Sequence, residues 1–140
     1  MRWMIVVAGL ALSACSHDIG PTQDELKKTW DGQNVYPAGY KTDILAFMRT
    51  YLNNPGGVRN ASVSPPQLKQ LGPNDRGERY VACVRYTARN SDGKYAAPKE
   101  GAATFLSGKL DRFLDLPREA RELCKEAAFA PFFELEKLTR

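Results

Sequence analysis

The run Glu78-Arg79-Tyr80-Val81-Ala82-Cys83-Val84-Arg85-Tyr86-Thr87-Ala88-Arg89 constrains this chain more than any other segment. Its alternation puts Tyr80, Ala82, Val84, Tyr86 and Ala88 on one face and Val81, Cys83, Arg85, Thr87 and Arg89 on the other, which is the period of a β-strand. Asn90–Lys94 follows as a turn with Asp92-Gly93 at its centre. A hairpin is readable in Ala102–Leu106 and Lys109–Leu114 around Ser107-Gly108, so these strands are expected to form an antiparallel meander. Upstream, Val58–Ser64 has weak strand character and ends at Pro65-Pro66; residues 67–77, rich in Gly, Pro and Asn, read as a loop.

Helical spacing appears on either side of the strands. Within Thr42–Leu52, the residues Ile44, Phe47, Met48, Tyr51 and Leu52 form one apolar stripe, with Asn53-Asn54-Pro55-Gly56-Gly57 as a firm stop. Such a stripe is expected to cover a sheet. Leu116–Ala128 reads as a short second helix with Asp115 as its cap and Pro117 in its first turn. Phe129–Leu138 carries Phe132, Phe133, Leu135 and Leu138 and is expected to lie over the core as an extended tail. At 140 residues, 43% hydrophobic and 26% charged, the chain has room for one domain. The expected fold is α+β: a small antiparallel sheet over residues 38–140, packed by one main amphipathic helix plus a short C-terminal helix.

The N-terminus follows a different pattern. Arg2 precedes a 12-residue apolar run, Trp3–Ala14, in the order of a secretory signal. As a helix the run would reach roughly 18 Å, well short of a hydrocarbon core of roughly 30 Å. Leu12-Ser13-Ala14-Cys15 resembles the lipobox of bacterial lipoproteins, a leucine and two small residues before an obligatory cysteine. The resemblance implies that residues 1–14 are a signal peptide cleaved before Cys15. It also implies that the Cys15 thiol carries a diacylglyceryl group and that its new amino group is acylated. Ser16 after the cysteine implies sorting to the outer membrane, with the domain facing the periplasm. In size and layout the chain is also similar to small lipoproteins of Gram-negative, particularly alphaproteobacterial, envelopes. Residues 15–37, polar and containing Gly20, Pro21 and Gly32, are then a tether, with a helical turn over Asp24–Trp30. Loss of residues 1–14 removes one charge, Arg2, and leaves 19 basic against 16 acidic side chains. That balance is mild and interspersed, and nucleic acid is not an expected partner.

With Cys15 assigned to lipid, two of the 3 cysteines remain, Cys83 and Cys124. In an oxidising compartment they are expected to pair, closing a loop whose chain entropy is worth about 4 kcal/mol at most. The alternatives are two buried free thiols or a redox or metal-binding pair; there is no Cys-x-x-Cys to support the latter.

No catalytic, metal or cofactor site is assigned. The single histidine, His17, sits in the tether, which argues against imidazole-based hydrolases and His-Glu-x-x-His zinc enzymes. Ser91-Asp92-Gly93-Lys94 matches Ser-x-x-Lys but occupies a turn instead of opening a helix. Asn54-Pro55-Gly56-Gly57 lacks the lysine of a phosphate loop, and Asn60-Ala61-Ser62 is only formally a glycosylation sequon. Asp111 with Asp115 and Glu134 with Glu136 are carboxylate pairs interleaved with Lys109, Arg112 and Lys137, the composition of a solvated face. One constellation stands out: Arg79, Arg85 and Arg89 with Tyr86, extended by Lys94, Tyr95 and Lys99. It is a candidate binding surface for an anionic sugar polymer, a lipid headgroup or an acidic partner, set against arginine stems that merely cover apolar surface. The first functional expectation is a lipid-anchored, non-enzymatic accessory or adaptor that binds another envelope protein or the cell wall. The second is a binding module for a small molecule or anionic glycan, in a concave pocket bordered by Arg85, Tyr86 and Arg89. A third, a cell-wall enzyme, requires two carboxylates converging in a cleft.

Overall fold

The computed structural model describes residues 20–72 and 77–139. The alternating run forms β3 (Glu78–Arg89), the longest strand among the described residues and the middle one of the sheet. Around it lie β1 (Asn54–Val63), β2 (Gln67–Gln70), β4 (Lys99–Leu106), β5 (Lys109–Leu114) and β6 (Ala130–Pro131). The helices are α1 (Gln23–Gln33), α2 (Tyr40–Tyr51), α3 (Pro117–Leu123) and α4 (Phe133–Glu136). Every strand pair is antiparallel, and the order across the sheet is β5-β4-β3-β1-β6, with β2 also paired to β3. The fold is therefore α+β.

One edge of β3 is filled by β4, in register from Tyr80 opposite Phe105 to Tyr86 opposite Lys99. The other edge is shared: β1 takes its C-terminal half and β2 its N-terminal half. Residues 67–77 were expected to be loop, yet Gln67–Gln70 pairs with Glu78–Val81. The Pro65-Pro66 pair removes two N–H donors and interrupts the strand without ending it, since the open half of β3 still presents backbone groups that need partners. Ser64 bridges the interruption. Its N–H donates to the Cys83 carbonyl at 2.9 Å, and its buried Oγ accepts the Cys83 N–H at 2.8 Å.

The expected stop after α2 is also more than a stop. Asn54 already faces Arg89 and Arg59 faces Thr87, so the Pro-Gly-Gly stretch is carried as an irregularity within β1. Gly57 at φ 73° and Asn60 at φ 52° take up the excess length. In the hairpin, β4 begins at Lys99, earlier than its apolar alternation indicates, and Ser107 (φ 51°) with Gly108 (φ 76°) makes the two-residue turn.

The two faces of β3 separate as the alternation predicts. Ala82, Val84 and Tyr86 join Ile44 and Met48 of α2 and Phe105, Phe132 and Leu135 in one core. Val81 and Cys83 join Leu71, Ala102, Leu123 and Cys124 in a second core beneath α3. There Cys83 and Cys124 form a disulfide with their Cα atoms 5.7 Å apart. On the first face Phe47, Tyr51 and Phe113 make a ring cluster with centroids 5.0–5.3 Å apart. Gly101 lies against Phe113: a Cβ there would stand 2.5 Å from Cε1 and closer still to Cζ. Asp43 of α2 ties the helix to β5 by accepting the Leu110 N–H at 3.2 Å.

The C-terminal region departs from expectation at three points. Helix α3 ends at Leu123 and does not run to Ala128, because the disulfide holds Cys124 on the sheet and Ala130–Pro131 must reach Ser62 and Val63 of β1. Its cap position is Leu116, with no side-chain cap, and the Asp115 carboxylate instead accepts the Tyr51 hydroxyl. The tail is extended only at β6. It then coils into α4, which turns Phe132, Leu135 and Leu138 inward together at near-helical spacing.

Cys15, its lipobox and His17 lie outside the described residues. From Gly20 onward the stretch read as a tether carries α1, opened by a reciprocal Thr22–Glu25 capping box that holds the Glu25 carboxyl below its ordinary pKa. Beyond α1, Pro37 is fully buried, Gln33 accepts the Ser107 N–H at 2.8 Å, and Tyr36 meets Tyr80 edge-on at 5.3 Å.

Two outcomes follow for stability. Gly101→Ala should lower unfolding free energy by about 1–3 kcal/mol through overpacking, and Phe113→Leu in the same chain should recover part of that loss in denaturant titration. Cys83→Ala with Cys124→Ala should cost about 4 kcal/mol, measured the same way, with a loss below about 1 kcal/mol contradicting a constraint on the unfolded chain.

Candidate functional site

Where β3 ends and β4 begins, the chain between them runs back along the sheet and frames two half-open clefts. After the Asn90–Lys94 turn, the Ala96 N–H donates to the Ala88 carbonyl at 2.9 Å, and the extended stretch continues into β4 at Lys99. The first cleft, about 230 Å³, is lined by Tyr51, Asn53, Tyr86, Arg89, Asn90 and Lys99 among others. The second, about 580 Å³, is lined by Arg85, Lys99, Glu100, Asp115, Pro117 and Arg121 among others. Lys99 borders both.

Arg89 is placed by backbone geometry. Gly57, at φ 73°, brings the β1 backbone so close that a Cβ there would stand 3.3 Å from the Arg89 guanidinium. Tyr95 donates its hydroxyl to the Gly57 carbonyl at 2.7 Å, and its ring lies 4.9 Å from the Arg89 guanidinium and 4.1 Å from that of Arg59. These contacts hold the stem and plane of Arg89 but leave its Nε–H buried without an acceptor. An unsatisfied buried donor on a cation is costly.

A polar septum separates the clefts. Tyr51 reaches from α2 and donates its hydroxyl to Asp115 at the end of β5, so a lining residue of the first cleft bonds a lining residue of the second. Burial, then the bond to Asp115, pushes the Tyr51 phenol far above its ordinary pKa. Burial also raises Tyr86, partly offset by its hydrogen bond with Tyr51. Both phenols therefore stay neutral at neutral pH and remain hydrogen-bond donors.

The four residues of the candidate surface do not assemble into one site. Arg85 borders a different cleft from Tyr86 and Arg89, so no pocket is bordered by the three together. Tyr86 and Arg89 line the first cleft, Arg85 lines the second, and Arg79 stands at the other end of β3 with its Nη1 on the Glu78 carbonyl. Arg85 is committed to structure: its Nε lies 2.5 Å from Glu100 Oε2 and its guanidinium 3.9 Å from the Phe129 ring. Lys99 and Arg121 have no ion-pair partner among the described residues. Arg121, Tyr51 and Asp115 escaped the sequence reading as cleft residues, because they come from separate elements and no spacing relates them.

The carboxylates considered for catalysis are each engaged. Asp115 accepts from Tyr51, Glu136 accepts the Ala61 N–H at 3.0 Å, Glu134 pairs with Lys41 at 4.0 Å and Asp111 with Arg112 at 3.7 Å. Ser91 and Lys94 remain in an exposed turn. Among the described residues no group of three or more His, Cys, Asp or Glu side chains is placed to hold a metal ion, and no helix is long and apolar enough to cross a membrane. Compared with protein-family models, with curated proteins and with solved structures, the chain matches none.

Proposed function

We propose that this chain is a lipid-anchored envelope protein that acts by binding, without catalysis, and that the cleft beside Arg89 receives an acidic group of its ligand. The anchor rests on the lipobox resemblance at Leu12-Ser13-Ala14-Cys15. A single acyl chain holds a protein only marginally, whereas the two or three implied at Cys15 give stable attachment to the outer membrane without a spanning helix. In this reading α2 is the main amphipathic helix, the disulfide is a staple suited to the periplasm, and the domain is an accessory presented to envelope components. The adaptor and the binding module differ only in whether the acidic group belongs to a partner protein or to a small molecule or glycan.

The observation that carries the binding reading is Arg89. Its guanidinium is fixed by Gly57 and Tyr95, its Nε–H lacks an acceptor, and it shares the cleft with Lys99 and the neutral Tyr51 and Tyr86 hydroxyls. A carboxylate or phosphate entering there meets two cations, Arg89 and Lys99, and a charge-assisted hydrogen bond to either is worth about 1.5–3 kcal/mol.

Glucuronate should shift the Arg89 Nε–H resonance in titrations followed by NMR, glucose should not, and Arg89→Gln should weaken glucuronate binding by roughly 10- to 100-fold. An Arg89 signal unmoved by glucuronate, acetate or phosphate would refute the site. For the anchor, Cys15→Ser in the full-length chain should leave an unprocessed precursor that takes up no labelled palmitate; normal processing and membrane attachment would refute it.

A further inference from the structure

We infer that the end of the sheet carrying Val35, Tyr36 and Leu68 rests on the phospholipid surface that holds Cys15, which turns the Arg89 cleft away from the membrane. This rests on the reading that Cys15 is lipidated, and extends it from attachment to orientation.

Five large apolar side chains are exposed among the described residues, and three of them, Val35 at 53%, Tyr36 at 49% and Leu68 at 44%, gather at this end. Tyr36 meets Tyr80 edge-on at 5.3 Å. Leu68 of β2 stands directly opposite Tyr80 of β3, which puts those two side chains on the same face. Val35 lies against the hairpin turn, where a Cβ on Gly108 would stand 3.6 Å from its Cγ1. The segment is fastened on either side: the Gln33 carbonyl accepts the Ser107 N–H at 2.8 Å, and Pro37 is fully buried. Val35 and Tyr36 are thus held outward between two fixed points, and a cluster of this kind marks a contact with a protein or a membrane.

The chain leading to the cluster selects the membrane. Cys15 and Gly20 are five residue steps apart, at most about 18 Å, so a bilayer that holds Cys15 keeps Gly20 close to it. From there α1, 11 residues and about 16 Å long, enters the domain at the apolar end, with the Trp30 ring against Gly77 and Gln33 on Ser107. Arg89 lies nine residues beyond Tyr80 on β3, about 30 Å away. The tethered entry and the apolar cluster therefore share one end of the sheet, and the cleft stands at the other.

Charge on α1 is balanced, with the exposed Lys27 and Lys28 offset by Asp24 and Glu25. The contact therefore draws on apolar side chains and on a tyrosine, whose amphipathic ring suits the headgroup level, and not on lipid charge. Three half-exposed side chains are too few to hold a free domain on a bilayer. A short tether supplies an effective concentration of about millimolar, at which they act.

Spin labels placed singly through Val35→Cys and Leu68→Cys test this in the full lipidated chain on vesicles of phosphatidylethanolamine and phosphatidylglycerol. Ser91→Cys, in the exposed turn at the far end, is the control. Collision with oxygen, which concentrates in lipid, relative to collision with a water-soluble nickel chelate should be several-fold higher at positions 35 and 68 than at 91, whatever the share of phosphatidylglycerol. Val35→Asp, an exposed substitution checked for unchanged thermal unfolding, should bring the label at position 68 down toward the control. A lipidated chain whose labels at 35 and 68 meet oxygen no more than the control overturns the orientation and leaves the anchor standing. A chain that takes up no palmitate overturns the anchor, and the orientation with it. Labels shielded from oxygen and chelate alike would make the occupant a protein, a second copy included, and overturn the lipid contact. A signal that appears only with phosphatidylglycerol would make the contact electrostatic and overturn the apolar docking.

Discussion

Cys83 is the residue on which the most separate constraints converge. Its N–H and carbonyl bond Ser64 and so carry the ladder across the proline break between β1 and β2. Its side chain belongs to the second core and is joined to Cys124, so the same residue ties α3 to the middle of the sheet. Both groups are buried, where an unpaired backbone donor or a mobile helix end would be expensive. From this point outward β3 fixes β4 by regular pairing, while β1 and β2 divide its opposite edge.

The cleft region depends on that arrangement at its margin. Arg121 is carried by α3, whose end is fastened at Cys124, and Lys99 is carried by the first residue of β4, opposite Tyr86. Tyr51 comes from the far end of α2, where its ring is fixed against Phe47 and Phe113. Gly101, two residues beyond Lys99, leaves room for the end of the Phe113 ring and so for that ring cluster. Core packing on one face and the disulfide on the other thus set the positions of cations that otherwise share no element.

Legibility in the sequence varied with how local each determinant is. The β3 alternation, the α2 stripe and the Ser107-Gly108 turn are written in consecutive residues, and the structure follows them closely. Gln67–Gln70 was not legible as a strand, because what recruits it is the open edge of β3 and not its own composition. Likewise the helical propensity of Lys125–Ala128 is overridden by Cys124 on one side and β6 on the other. The alternation already sets Arg85 and Tyr86 on opposite faces of β3, and they border different clefts.

Sequence by itself determined the two-faced central strand, the stripe that carries Ile44 and Met48 into one core, and the two cysteines, Cys83 and Cys124, that pair. It also carries the whole basis for the proposed envelope address, in the four residues ending at Cys15. Only the tertiary structure decided which arginines are spent on carboxylates and rings and which face open clefts. It alone brought Tyr51 to Asp115 across 64 positions of sequence and placed Lys99 between the two hollows. The physical reason is range. Periodicity reports which face of its own element a side chain takes, whereas a charge is left available or neutralised by neighbours that arrive from distant parts of the chain.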